Sequence, residues 1–124
     1  MSYEFKSNEP IFSQIERLLK QKIIAGTYPA GEKIPSIREM AIELNVTPNT
    51  VQHALQSLEQ EGLIYTARTN GKYVTENLEL ISEIRAKVLH ESISNLITDL
   101  LMHNYTIQDI YQAIRKELDE DENK

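Results

Sequence analysis

The sequence predicts a mainly α-helical protein that carries one small β-hairpin. Apolar residues recur at helical spacing along most of the chain, and several of these stretches follow residues that start helices. Only two short runs are strand-like, at residues 63–67 and 72–75. The 124 residues are 40% hydrophobic and 26% charged, which is enough for one small globular domain and an appendage.

The first helix is expected to begin near Pro10, because proline suits the first helical position and Asn8 or Glu9 can cap it. Its apolar face continues to Ile23, and Gly26 ends it.

Two further helices follow closely on each other. Ser36 and Glu39 predict a capping box, in which each side chain accepts a hydrogen bond from the backbone N–H of the other residue. Thr47 is a suitable N-cap for the next helix, and Pro48 suits its first position. Only a short turn around Asn45 separates the two helices.

The two strand-like runs then form a hairpin, and Asn70-Gly71 suits a tight turn between them. The order helix, helix, short turn, helix, hairpin predicts a winged helix-turn-helix.

The composition changes after residue 76, beyond which there is neither proline nor glycine. Apolar residues continue at helical spacing from Leu78 to Leu101, and His103-Asn104-Tyr105 interrupts them. Thr106 with Asp109 then predicts a shorter helix. We therefore expect a winged helix at residues 1–76 and a two-helix tail at residues 77–124.

The net charge of −6 resides in residues 76–124. Residues 1–75 contain 8 Lys and Arg against 8 Asp and Glu, whereas residues 76–124 contain 5 against 11. Phosphate binding depends on local basic groups and helix N-termini, so this charge does not exclude nucleic acid.

The third helix is the candidate for reading DNA, because in a helix-turn-helix the second helix of the motif enters the major groove. Its outward positions are polar, and Asn and Gln can pair with adenine. Arg38 lies in the first turn of its helix, where a positive charge interacts unfavourably with the helix dipole, and a bound phosphate would compensate this charge. The alternative is that Arg38 pairs with Glu39 or Glu43 on the surface. The hairpin tip is basic and has no acidic residue. The expected DNA-binding residues are Lys33, Ser36, Arg38, Thr47, Pro48, Asn49, Thr50, Gln52, His53, Arg68, Asn70, Gly71 and Lys72.

The tail is expected to form a homodimer, because two helices with such wide apolar stripes cannot cover each other. A two-fold pair would place two reading helices in successive major grooves. The expected interface residues are Ile84, Val88, Leu89, Ile93, Leu96, Ile97, Leu100, Leu101, Ile107, Ile110 and Ile114. The alternative is a monomer whose tail folds back on the winged helix.

Several other classes are not expected. We find no phosphate-cradling glycine loop and no nucleophile beside a base, and therefore expect neither an enzyme nor a cofactor. His90 and His103 are too far apart in sequence to suggest a metal site. The chain contains no cysteine, and we see no signal peptide or membrane span, which suits the cytoplasm. The small tail leaves little room for an effector cavity of ~300 Å³, so an effector would bind at the dimer interface or between tail and winged helix.

Taken in order, the residues from Pro10 to Val74 resemble the GntR family of bacterial regulators. The matching pieces are Pro10-Ile11-Phe12, Gly31 to Arg38, Val46 to Val51, Ala54-Leu55, Glu61 to Tyr65 and Gly71 to Val74. The resemblance implies DNA contacts from Arg38, from Thr47 to Thr50, from Gln52, and from Asn70, Gly71 and Lys72. Many members carry Arg at the positions of Pro48 and Gln52, so their base preference does not transfer to this chain.

The run from Thr47 to Val51 and the short helical tail are similar to the YtrA-type subfamily, whose members often govern genes for ATP-driven transporters. The expected function is a repressor that binds a two-fold-symmetric operator in double-stranded DNA as a homodimer. The alternative is a winged helix that serves as a protein-interaction or assembly module.

Overall fold

The computed structural model describes residues 4–68 and 71–122 of the chain. The described residues form five helices and one two-stranded antiparallel sheet. In chain order these are α1 (Ile11–Ile24), α2 (Ile37–Leu44), α3 (Pro48–Gln60), β1 (Ile64–Thr66), β2 (Lys72–Val74), α4 (Leu78–Met102) and α5 (Ile107–Glu122). The contacts divide the chain into two compact units between Ile84 and Arg85. The mainly α fold with a small hairpin is therefore confirmed.

The core of the first unit forms around α3, which contacts α1, α2 and β1. Burying one large aliphatic side chain in such a core contributes roughly 1.5–3 kcal/mol. The buried apolar residues are Ile15, Leu19, Ile23, Ile34, Met40, Ala41, Leu44, Val51, Ala54, Leu55, Leu58, Leu63, Ile64 and Val74.

The start of α1 differs from the sequence prediction. Pro10 is the N-cap residue rather than the first helical residue, and no side chain caps the helix. The preceding segment is instead held by Gln14, which is 1% exposed. Its Nε2 donates to the carbonyl oxygens of Lys6 and Glu9, at 2.8 and 3.0 Å, and its Oε1 accepts from the Lys6 N–H. A buried amide therefore anchors the segment before α1, and the predicted side-chain cap from Asn8 or Glu9 is wrong.

The hairpin also differs from the prediction. The register pairs Thr66 with Lys72, and the Ala67 N–H donates to the Gly71 carbonyl at 2.9 Å. Gly71 therefore belongs to the ladder, and the predicted two-residue turn on Asn70-Gly71 is wrong. Asn70 itself lies outside the described residues.

A third segment extends the sheet on the other side of β2. Ile34 N–H donates to the Lys72 carbonyl and Val74 N–H donates to the Glu32 carbonyl, both at 2.9 Å. Lys33 forms the corresponding bridge with Tyr73. The residues that precede α2 are thus bonded to the strand that follows α3.

In α4, the end nearer the winged helix belongs to the first unit. Ile81 and Ile84 are half-buried against the winged-helix core. The contacts therefore divide the chain within α4, whereas the composition predicted a boundary at residue 76. Part of Ile84, an expected dimer residue, is already covered within one chain.

The second unit contains the rest of α4 and α5. The predicted interruption is confirmed, since α4 ends at Met102 and Asn104 has a left-handed φ of 64°. Thr106 and Asp109 form the predicted capping box, with two hydrogen bonds of 3.0 Å. These bonds from the Thr106 backbone and side chain lower the pKa of Asp109. None of the described helices is both long and apolar enough to cross a membrane.

Candidate nucleic-acid interface

Helix α3 is fixed by its buried face, which leaves its polar face outward. Val51, Ala54, Leu55 and Leu58 are buried, as their helical spacing predicts. Thr47 caps the first turn, since its Oγ1 accepts from the Thr50 N–H at 3.4 Å and lies 2.9 Å from the Thr50 Oγ1.

The outward side of α3 carries the residues that are predicted to contact DNA bases. Pro48, Asn49 and His53 are exposed, as is Thr47 just before the helix, whereas Thr50 and Gln52 are half-buried. These side chains offer amide, hydroxyl and imidazole groups, which can donate to or accept from base edges.

The turn between α2 and α3 sets the direction of α3. Asn45 closes α2 with left-handed backbone angles, φ 56° and ψ 50°, which asparagine tolerates better than most residues. The Val46 N–H then donates to the Ala41 carbonyl at 3.0 Å. Two residues after this closure, Pro48 begins α3, so that α2 and α3 form a helix-turn-helix.

The N-terminus of α2 presents an uncompensated cation. Ser36 and Glu39 form the predicted capping box, in which Glu39 N–H donates to Ser36 Oγ at 3.1 Å. Hydrogen bonds from the Ser36 backbone and side chain lower the pKa of Glu39, with a smaller contribution from Lys33. Among the described residues no carboxylate pairs with Arg38, so the alternative of a surface pair with Glu39 or Glu43 is not found. Its exposed guanidinium remains available for an anion.

A cleft of about 440 Å³ joins three parts of the winged helix: the start of α2, the start of α3 and the base of the hairpin. It brings together six of the predicted DNA-binding residues. They are Lys33, Ser36, Arg38, Pro48, Gly71 and Lys72. Lys33 and Arg38 make the surroundings of this cleft basic, since neither forms an ion pair among the described residues.

Lys72 differs from Lys33 and Arg38 because its ammonium forms a hydrogen bond and an ion pair within the chain. Its Nζ donates to Thr66 Oγ1 at 2.8 Å and lies 3.6 Å from Glu59 Oε2, and its side chain is 16% exposed. Thr66 Oγ1 in turn donates to Glu59 Oε1 at 2.8 Å. This network joins the hairpin to α3, and helical or strand spacing in the sequence does not reveal it, because its three residues belong to three different elements.

The tip of the hairpin is basic where it is described. Arg68 is exposed and has no partner among the described residues. Gly71 is buried, and a Cβ on it would lie 2.9 Å from Lys33 Cε and 3.2 Å from a Tyr73 ring carbon. Glycine here permits a close approach of Lys33 and Tyr73, and the expected contact of Gly71 with DNA stays a prediction.

A second, shallow recess lies beside the first turn of α3. It is lined by Ile11 and Phe12 of α1 and by Asn49, Thr50 and His53 of α3. The rings of Phe12 and His53 are stacked, with centroids 3.8 Å apart and planes 18° from parallel. Reasoning from sequence missed Phe12, because helical spacing does not reveal which residue of another helix it meets.

Within residues 4–68 and 71–122, no group of three His, Asp or Glu side chains could hold a metal ion. The candidate surface carries hydrogen-bonding amides, hydroxyls and cations on a helix-turn-helix with an attached wing. These features define the class of winged helix-turn-helix proteins.

Comparison with known proteins gives the family. Residues 12–74 match the model described as bacterial regulatory proteins, gntR family. The chain belongs to the GntR family.

Relatives of similar length extend this similarity into the tail. The chain is 33% identical over 112 residues to the HTH-type transcriptional repressor YtrA of Bacillus subtilis, covering 90% of this chain and 86% of YtrA. It is 29% identical over 115 residues to the uncharacterized HTH-type transcriptional regulator YhcF of the same organism, covering 93% and 95%. A solved GntR family transcriptional regulator from Listeria monocytogenes matches with a TM-score of 0.84 and 34% identity, over 90% of this chain and 98% of that chain. The predicted resemblance to YtrA-type proteins is confirmed.

Proposed function

We propose that this chain is a transcriptional repressor that binds a two-fold-symmetric operator in double-stranded DNA as a homodimer. The winged helix at residues 1–76 binds the DNA, and the tail at residues 77–124 joins the two copies. The protein acts in the cytoplasm, where bacterial DNA is found.

The observation that carries this proposal is the combination of an outward polar face on α3 with an unpaired Arg38 beside it. A cation at a helix N-terminus is unfavourable because the helix dipole is positive there, and a phosphate oxygen bound at this end would compensate both the guanidinium and the free N–H groups of α2. Asn49 and Gln52 lie on the side of α3 that a major groove would meet.

The predicted residues divide by role. We assign phosphate contacts to Lys33, Ser36, Arg38, Thr47 and Arg68, and base contacts to Asn49, Thr50, Gln52 and His53. Asn70 is assigned to the wing contact by resemblance, and Pro48 is assigned to the start of the reading helix. Lys72 and Gly71 are assigned to the geometry of the wing, since their contacts are with Glu59, Thr66, Lys33 and Tyr73.

The homodimer is supported by the apolar surface of the tail. In α4, all of whose residues are described, none is buried, and in α5 only Ile110 is. Leu89, Ile93, Leu96, Leu101, Ile107 and Ile114 are each at least 42% exposed. Exposed apolar residues at this density mark an association surface, and a second copy is the most economical partner.

Repression is supported by the name of one relative. YtrA of Bacillus subtilis is named a repressor, and its similarity to this chain includes most of the tail.

The decisive experiment is selection of bound fragments from random DNA by the purified protein alone. We expect a single two-fold-symmetric sequence, with half-sites separated by about 10 base pairs or a multiple of that. Selection of no sequence, together with a protein that is monomeric in solution, would overturn the proposal.

Arg38→Ala tests the phosphate contact on the selected operator. We expect weaker binding to all sequences, and a salt slope that decreases by about 0.9 for each protomer, because one phosphate fewer is neutralised. Arg17→Ala is the matched control, since Arg17 belongs to the same unit and pairs with Glu9. An unchanged slope in Arg38→Ala would remove the phosphate assignment. If the winged helix served only to assemble proteins, neither the wild type nor Arg38→Ala would show salt-dependent binding to DNA.

A further inference from the structure

The stacked pair of Phe12 and His53 joins the first turn of α1 to the outward side of α3. Phe12 is half-buried and His53 is exposed. The Phe12 ring, from α1, covers one face of the His53 imidazole, which belongs to α3. At 3.8 Å and 18°, the rings are close and nearly parallel. A pair of this kind stabilises one orientation of the imidazole beyond the effect of area burial alone.

Stacking occupies the face of the imidazole and leaves its edge free. Among the described residues, neither ring nitrogen of His53 has a hydrogen-bond partner. A neutral imidazole has one N–H donor and one acceptor nitrogen, and both lie on that free edge. His53 also follows Asn49 by four positions, so the two side chains lie on the same side of α3.

We propose that Phe12 is a positioning residue for base recognition, which holds the His53 imidazole so that its N–H donates to an acceptor on a base edge. This inference rests on the proposed function, in which the outward side of α3 faces the major groove. The first turn of α1 thereby contributes to sequence preference without touching the base itself. Because the imidazole is ordered before DNA arrives, the entropy of fixing it is not lost on binding.

The stack can be tested first in the free protein by NMR of the histidine ring protons. The Phe12 ring current should shift the His53 ring protons upfield of those of His90 and His103, with His53→Gln identifying the signals. Phe12→Leu should remove this shift and Phe12→Tyr should retain it, since tyrosine keeps the aromatic ring. Signals of His53 that do not respond to Phe12→Leu would overturn the positioning role.

The second test measures sequence preference on the selected operator, with each base pair replaced in turn. His53→Ala should reduce discrimination at one position by about fivefold or more. Phe12→Leu should reduce it at the same position by about twofold to fivefold, as expected for loss of one ordered side chain. Phe12→Tyr should restore discrimination, and Phe12→Leu should add nothing further in the His53→Ala background.

The outcomes separate this inference from the function on which it rests. If the wild-type protein selects a sequence but Phe12→Leu weakens all sequences equally, Phe12 only stabilises the fold or contacts the backbone, and the positioning role is wrong. If the wild-type protein selects no sequence, the proposed function fails and the inference fails with it.

Discussion

The two units of this chain bury their apolar residues to very different extents. In the winged helix, fourteen apolar residues from all of its helices and strands are buried in one core. In the described part of the tail beyond Ile84, Ile110 at 7% exposure is the one buried residue, although apolar side chains are just as frequent. The first unit therefore buries its apolar residues within one chain, whereas the second leaves most of its apolar residues exposed.

The largest expected effect is on the stability of the winged helix, whose apolar residues are buried within one chain. Leu58 is fully buried at 0% exposure, and Leu58→Ala should lower the free energy of unfolding by about 2–5 kcal/mol, through lost burial and the cavity that remains. Urea denaturation measures this change, and Leu96→Ala is the matched control in the tail, where Leu96 is 47% exposed. Equal losses in both variants, independent of protein concentration, would remove the contrast.

A negative charge introduced into the tail should affect the proposed dimerisation rather than the stability of the winged helix. Leu96→Glu should leave the winged helix folded but convert the proposed dimer to a monomer, because the carboxylate would be buried without a partner. Loss of the linked second half-site should weaken operator binding by about 100-fold or more. Sedimentation and operator titration measure the two effects.

The control for this variant is Met102→Glu, which places the same charge on the same helix at a residue outside the expected interface. It should remain dimeric. A Leu96→Glu protein that also remained dimeric would show that copies meet elsewhere.

Lys72 and Arg38 differ in a similar way, because the ammonium of Lys72 has partners within the chain and the guanidinium of Arg38 has none among the described residues. Lys72→Met removes an ammonium that is bonded to Thr66 and Glu59, so we expect a severalfold loss of affinity as the wing loosens, with little change in salt slope. Titration of the operator at several salt concentrations measures this slope. A decrease as large as that expected of Arg38→Ala would instead show that the Lys72 ammonium neutralises a phosphate.

The smallest expected effect concerns the two capping boxes, one in each unit. Hydrogen bonds lower the pKa of Glu39 and of Asp109 in the folded protein. A depressed pKa stabilises the folded form above the ordinary values of 4.5 and 3.8, and this contribution is lost as the pH falls through the folded values. Protonation of Glu39 should therefore affect the unfolding of the winged helix, and protonation of Asp109 only the helicity of α5. Carboxyl NMR titrations with Glu39→Gln and Asp109→Asn check both assignments, and two undisturbed pKa values would contradict them.

Features encoded within a few neighbouring residues were predictable from the sequence. The capping boxes at Ser36 and Thr106, the inner face of α3 and the interruption before Thr106 all depend on residues three or four positions apart.

Features that depend on distant partners were not predictable. The hairpin register follows from pairing across the sheet, and the bonds of Gln14 to Lys6 depend on a chain segment that folds back on α1. The sequence identified Arg38 as a candidate cation, but only the contacts distinguish its free guanidinium from the bonded ammonium of Lys72.

The bonds between the segment before α2 and strand β2 have a consequence for how such regulators can diversify. Because Ile34 N–H donates to the Lys72 carbonyl, the two ends of the stretch from 34 to 72 meet in space. A stretch with adjoining ends can be exchanged for another as one block when the new block keeps the core contacts of α3 with α1, since its replacement then need not move the chain on either side. Recombination between related genes that share these core positions can therefore exchange α2 and α3 together while the tail stays unchanged.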